Sequence, residues 1–206
     1  MGPTLATAQT SEVLLPQGLT TGRDITGVNL FENVRKQGAL NLDGNSWAEV
    51  HDNASFDFGT DVSLEAWVYW QGDTNDDGIL GRYGNTTPER DCFLYAFSGG
   101  IQFYVTTNPI SYSSMTNGWR HIVGTYDGAN KRLYVDGVLV SSNAETATMP
   151  GGSIPMEIGR YKESSANTFT QPIAQPRIYN RALTAEEVQK IIQPKKTYTQ
   201  IKTISK

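Results

Sequence analysis

Oxygen-bearing side chains at alternate positions mark the first stretch that could do chemistry, Asp73-Thr74-Asn75-Asp76-Asp77-Gly78. Asp73, Asn75 and Asp77 followed by a glycine match the opening of a calcium loop, in which such ligands converge and the glycine permits a sharp bend. The twelfth position, where a bidentate glutamate closes loops of this kind, is Gly84. Calcium held by Asp73, Asn75 and Asp77 is therefore one expectation, and a simple Asp- and Gly-rich turn is the other. Sugar binding is the second chemistry in view, because it needs aromatic faces beside hydrogen-bonding groups. Trp70, Tyr83, Tyr104, Tyr112 and Tyr161 are the ligand-binding candidates by type, with Asn85, Asn108 and Asn117 as polar company. Tyrosine and tryptophan suit protein interfaces equally well, so residue type leaves glycan and protein partners open.

Other chemistries are thinly supplied. His51 and His121 are the two histidines, too few for a histidine-based zinc site, and His121 reads as a satisfied strand residue. The single cysteine, Cys92, permits no intrachain disulfide, and its neighbours Phe93, Leu94 and Tyr95 suggest a buried apolar thiol. Gly78, Gly81 and Gly84 fall on a strand rather than at a strand-to-helix turn, so they form no phosphate cradle. With 17 basic against 21 acidic residues and a net charge of −4, the chain lacks the basic stripe that nucleic acid requires. No window approaches the ~18 apolar residues of a membrane helix, and no signal peptide is expected at the N-terminus.

Strands must position whatever site exists. Trp119 to Val140 reads as a β-meander, in which Asp136-Gly137 supplies the two positive-φ residues of a type I′ hairpin. That turn sets Val135 opposite Val138 and Leu133 opposite Val140, with Tyr134 and Leu139 on the other face. Val62 to Trp70 alternates Leu64, Ala66, Val68 and Trp70 against Glu65, Trp67 and Tyr69, the pattern of a central strand. Further strands are expected at Trp47 to Val50, Gly78 to Arg82, Phe93 to Phe97, Gly100 to Val105, Met156 to Arg160 and Ile173 to Tyr179. One helix is signalled by the capping box of Thr184 and Glu187, the staple of Leu183 on Val188, and a stop at Pro194.

An ordered series of blocks carries a family resemblance. Ala39-Leu40-Asn41-Leu42-Asp43-Gly44 and Ser63-Leu64-Glu65-Ala66-Trp67-Val68 come first, then Trp119-Arg120-His121-Ile122-Val123-Gly124-Thr125-Tyr126-Asp127-Gly128 with Leu133-Tyr134-Val135-Asp136-Gly137. Ile158-Gly159-Arg160 and Arg177-Ile178-Tyr179-Asn180-Arg181-Ala182-Leu183-Thr184 complete the set. Over residues 39–192 the chain resembles laminin-G-like domains of the concanavalin A-like lectin/glucanase superfamily. The resemblance implies an all-β fold, a two-sheet antiparallel jelly-roll sandwich with one short C-terminal helix, that binds and does not catalyse. It departs from the family at Phe169 to Pro176, where acidic residues are common but absent here. Superfamily glucanases place E-x-D-x-E on one strand to give paired carboxylates; that motif does not occur, so no catalytic residue is assigned.

The expected organisation is an anchoring arm at 1–38, the jelly roll at 39–193 and a basic tail at 194–206. The arm resembles the start of laminin-G-like structural proteins of phage particles, which implies a decoration component of a virion or a particle exposed to the extracellular surface, oligomeric, and held to protein partners through the arm and tail. A glycan-binding adhesion module, calcium dependent through the 73–78 loop and directed at cell-surface glycans, is the alternative. Glycoside hydrolysis is a remote third.

Overall fold

The computed structural model describes residues 38–72, 75–84, 90–160 and 167–192. Apart from Gly38 the arm lies outside these residues, as do the basic tail, Asp73, Asn85 and Tyr161. Among the described residues the strands are β1 (Ala48–Val50), β2 (Asp61–Trp70), β3 (Asp77–Tyr83), β4 (Arg90–Phe97), β5 (Gly100–Val105), β6 (Ile110–Tyr112), β7 (Gly118–Asp127), β8 (Asn130–Val135), β9 (Val138–Ala144), β10 (Met156–Ile158) and β11 (Ile173–Tyr179), followed by the α-helix α1 (Ala185–Ile192). They form two antiparallel sheets, ordered β1-β10-β3-β4-β5-β6 and β11-β2-β7-β8-β9.

Alternation along each strand builds the core. Leu64, Ala66, Val68 and Trp70 of β2 meet Cys92, Leu94 and Ala96 of β4 and Ile101, Phe103 and Val105 of β5 in one buried cluster between the sheets. Gly124 of β7 marks their closest approach, since a Cβ there would collide with the Phe103 ring from the opposite sheet. Burial pushes the Cys92 thiol pKa up, so the apolar, inert reading of that residue holds.

The hairpin forms as its turn chemistry dictates, with φ of 49° at Asp136 and 77° at Gly137. Val135 pairs with Val138 and Tyr134 with Leu139, but a bulge then sets Leu133 opposite Ser141 rather than Val140. The extra residue makes the edge strand twist, a feature that alternation alone does not report. Strand β6 is too short and polar to have been read from sequence; it pairs with β5 through Phe103 and Ile110.

Two buried cations fasten the loops at the sandwich ends. Arg82 binds Asp91 and donates to Asp52 Oδ1 at 2.7 Å and to the Phe56 carbonyl at 2.8 Å. Lys131 Nζ reaches the Asn108 carbonyl and lies 3.3 Å from Glu145 Oε2. Each is hydrogen-bonded and paired with a carboxylate, the condition under which a buried charge is tolerated.

Candidate functional site

The two sheets turn very different outer faces away from the core. On the five-stranded sheet, α1 covers the face: Val188 and Leu183 pack on Val123, Tyr134 and Tyr179, and Ile192 lies against Trp67, Trp119 and Ala174. The helix is held by the expected capping box, with Glu187 N donating to Thr184 Oγ1 at 3.2 Å and Thr184 N to Glu187 Oε2 at 2.9 Å. Side-chain hydrogen bonding from Arg181, with that amide, pulls the Glu187 carboxyl down to about 2.

Beneath this cover sits a buried polar quartet. Glu65 Oε1 accepts from Arg177 Nη1 at 2.5 Å and lies 3.1 Å from His121 Nε2, while Oε2 accepts from Tyr179 at 2.6 Å. Burial alone would raise the Glu65 carboxyl, but His121, Arg177 and Tyr179 outweigh it and hold it below the usual carboxylate range. Burial and the Glu65 charge push the Tyr179 hydroxyl up, so it remains a donor. Both carboxylate oxygens are spent on neighbours within the fold. His121 is thus a strand histidine tied to Glu65, though its Nδ1 finds no partner among the described residues.

The six-stranded sheet carries no helix among the described residues. Because Cys92, Leu94 and Ala96 face inward, Phe93, Tyr95 and Phe97 face outward. Tyr104 lies opposite Phe93 and Gln102 opposite Tyr95. Their rings form a continuous set: Tyr83 to Phe93 at 5.8 Å, Tyr83 to Tyr104 at 5.0 Å in edge-to-face contact, Phe93 stacked on Tyr95 at 5.5 Å, and Tyr95 to Phe97 at 6.3 Å. Phe93 and Tyr104 are buried supports, Tyr83 and Tyr95 are half-buried, and Phe97 is 40% exposed. The Tyr95 hydroxyl donates to Gln102 Oε1, which fixes a polar group beside the rings.

The same face continues through Gly81 of β3, opposite Phe93, to Glu157 of β10 and Glu49 of β1. Gly81 adopts φ of +143°, and a Cβ there would strike the Cys92 carbonyl and the Phe93 ring. Only glycine lets that ring lie against the strand. At the far end, Arg160 donates through Nε at 3.2 Å and through Nη2 to Glu157 Oε1, and its guanidinium lies 3.6 Å from the Trp47 ring centroid. Trp47 Nε1 in turn donates to Glu49 Oε2 at 3.5 Å.

Of the aromatic candidates read from sequence, the structure brings together Tyr83 and Tyr104. Trp70 is 1% exposed in the core and is corrected to a structural residue, because strand parity turns it inward, and Tyr112 packs partly buried against the same inner cluster. Asn75 lies exposed before β3, and Asp77 lies buried on β3 opposite Ala96. No group of three or more metal-binding side chains occurs among the described residues. Phe93, Tyr95 and Phe97 were not singled out from the sequence, although their i, i+2 spacing announces a shared face. Glu49, Glu157, Arg160 and Trp47 carried no local signal, since strands distant in sequence bring them together.

Two antiparallel sheets packed face to face, with α1 against the five-stranded one, form a jelly-roll sandwich. The family model of laminin-G type described as the concanavalin A-like lectin/glucanases superfamily matches residues 42–189, and the chain belongs to that family. No curated protein sequence matches it. Among solved structures it resembles domain 4 of AbnA, a GH43 extracellular arabinanase from Geobacillus stearothermophilus solved with arabinotriose, at 18% identity and a TM-score of 0.57 over 75% of this chain and 76% of that one. It also resembles the binding domain of Paraclostridial Mosquitocidal Protein 1, at 19% identity and a TM-score of 0.57 over 91% of this chain and 50% of that one. The botulinum neurotoxin serotype G binding domain aligns at 18% identity and a TM-score of 0.59 over 75% and 41%. The chain thus spans half or less of the length of these two toxin domains, and at such identities the likeness is one of fold.

Proposed function

We propose that this chain is a non-catalytic binding module whose ligand is a glycan, taken up on the outer face of the six-stranded sheet. The aromatic set from Tyr83 to Phe97 carries this reading: it sets exposed and half-exposed ring surface beside Gln102 on a rigid sheet. The AbnA domain bound to arabinotriose supports it as a relative of the same fold that takes a sugar. Hydrolysis is disfavoured. Glu49 and Glu157 are cross-strand neighbours on this face, but Glu157 Oε1 is already engaged by Arg160 Nε and Nη2.

The direct test is an array of neutral oligosaccharides, arabinotriose included, run with and without chelator. Binding that falls about tenfold in Tyr95→Ala and in Phe97→Ala, at unchanged melting temperature, supports the reading. Silence across the array overturns it, and a loss under chelator assigns calcium a part through the 73–78 loop. A second reading concerns attachment. Leu40 pairs with Ile173 in both directions, at 2.8 and 3.0 Å, so the chain enters the sandwich along the β11 edge. Residues 1–38 would then tether the module to a particle such as a virion; deleting 1–37 should abolish incorporation and leave the sandwich folded.

A further inference from the structure

The charged end of the aromatic face contains an arginine only partly used. Glu157, buried to 3% of its side chain, takes Arg160 Nε and Nη2 and so fixes the guanidinium in place. Trp47 closes one face of that guanidinium. Arg160 Nη1 has no hydrogen-bond partner among the described residues. Beside it stands Glu49, whose side chain is 33% exposed; its Oε2 lies 3.9 Å from Arg160 Nη2 and accepts from Trp47, while its Oε1 has no partner among the described residues. A positioned donor just past β10 thus adjoins an open acceptor on β1.

We propose that Arg160 and Glu49 form a polar subsite that grips two neighbouring hydroxyls of a neutral sugar, with Nη1 donating to one and Oε1 accepting from the other. Among the described residues one guanidinium stands here against two carboxylates, a balance that suits a neutral polyol better than an anion. Strand order puts β1 three inter-strand spacings from β4, ~14 Å. A short oligosaccharide lying across the strands would reach from Glu49 to the aromatic set, so the subsite acts as the specificity-determining end of the site proposed above and rests on that proposal.

The experiment uses the full chain and the best binder among arabino-, gluco-, manno- and galacto-oligosaccharides from disaccharide to hexasaccharide, measured by calorimetry. Glu49→Gln and Arg160→Lys should each weaken binding by about tenfold or more. Singly O-methylated forms of that glycan supply the cycle: the methyl ether that weakens wild-type binding should cost nothing further in Glu49→Gln, but should add its full penalty in Phe97→Ala. Should Arg160→Lys lose its fold, Glu49→Gln carries the test alone. Unchanged affinity in Glu49→Gln, with affinity lost in Phe97→Ala, overturns the subsite and spares the glycan reading. Failure of wild type to bind any of these probes overturns both.

Discussion

The two outer faces of this sandwich obey the same alternation rule and end in opposite states. On β2 the outward residues Glu65, Trp67 and Tyr69 lie beneath α1 and the flanking chain, and Glu65 spends both oxygens on His121, Arg177 and Tyr179. On the other sheet Phe97 is exposed, Glu49 is one-third exposed and Arg160, just past β10, retains Nη1, while Phe93 and Glu157 beside them are buried. The lesson is that an acidic residue between aromatic neighbours in a strand is not by itself a site. What separates structure from function here is whether something in the fold already satisfies the group.

That contrast can be broken at several points. The largest effect should come from Glu65→Ala, which strands a buried histidine, a buried tyrosine hydroxyl and a partly exposed arginine; a loss of about 3–5 kcal/mol in urea unfolding is expected. Glu49→Gln, on the other face, should stay within about 0.5 kcal/mol. A Glu65→Ala protein as stable as wild type would erase the distinction between the faces. Next, Leu183→Ala, which empties part of the contact beneath α1, should cost about 2–5 kcal/mol by the same assay.

Thr184→Ala should cost about 1 kcal/mol through the lost cap. The acid limb follows in turn. Glu65 and Glu187 both have folded-state carboxyl pKa values below their unfolded ones, so the stability they supply is present above the unfolded range and drains away as the pH falls through the folded values, to about 2 for Glu187. Far-UV circular dichroism between pH 5 and 2 should therefore register weakening of α1, while the near-UV signal of the Tyr83, Phe93 and Tyr95 set is retained longer. Simultaneous loss of both signals would show that the faces do not differ in this respect.

How much of this was legible in sequence depended on distance along the chain. The β7-β8-β9 meander, the alternation of β2 and the cap of α1 are local patterns of turn chemistry and parity, and each formed. The bulge that moved Leu133 from Val140 to Ser141 is a tertiary adjustment of an edge strand. Trp70 was chosen as a ligand contact by residue type, but the parity of its strand faces it inward. Tyr95 and Phe97 were passed over because an apolar strand pattern reads as core, as it does correctly for the buried Phe93 beside them. The Glu49, Glu157 and Arg160 cluster exists only because β1 and β10 pair, a register that no local motif announces.

The central claim is that recognition belongs to the outer face of the six-stranded sheet and that the helix-covered face is structural. Its most direct test is calorimetric titration of the best-binding neutral oligosaccharide into the Tyr95→Ala/Phe97→Ala double variant, beside a Leu139→Ala control on the exposed edge of the other sheet. The account predicts that the double variant loses binding by a hundredfold or so while melting as wild type does, and that the control binds normally. Full affinity in the double variant, or loss of binding in the control, would contradict it.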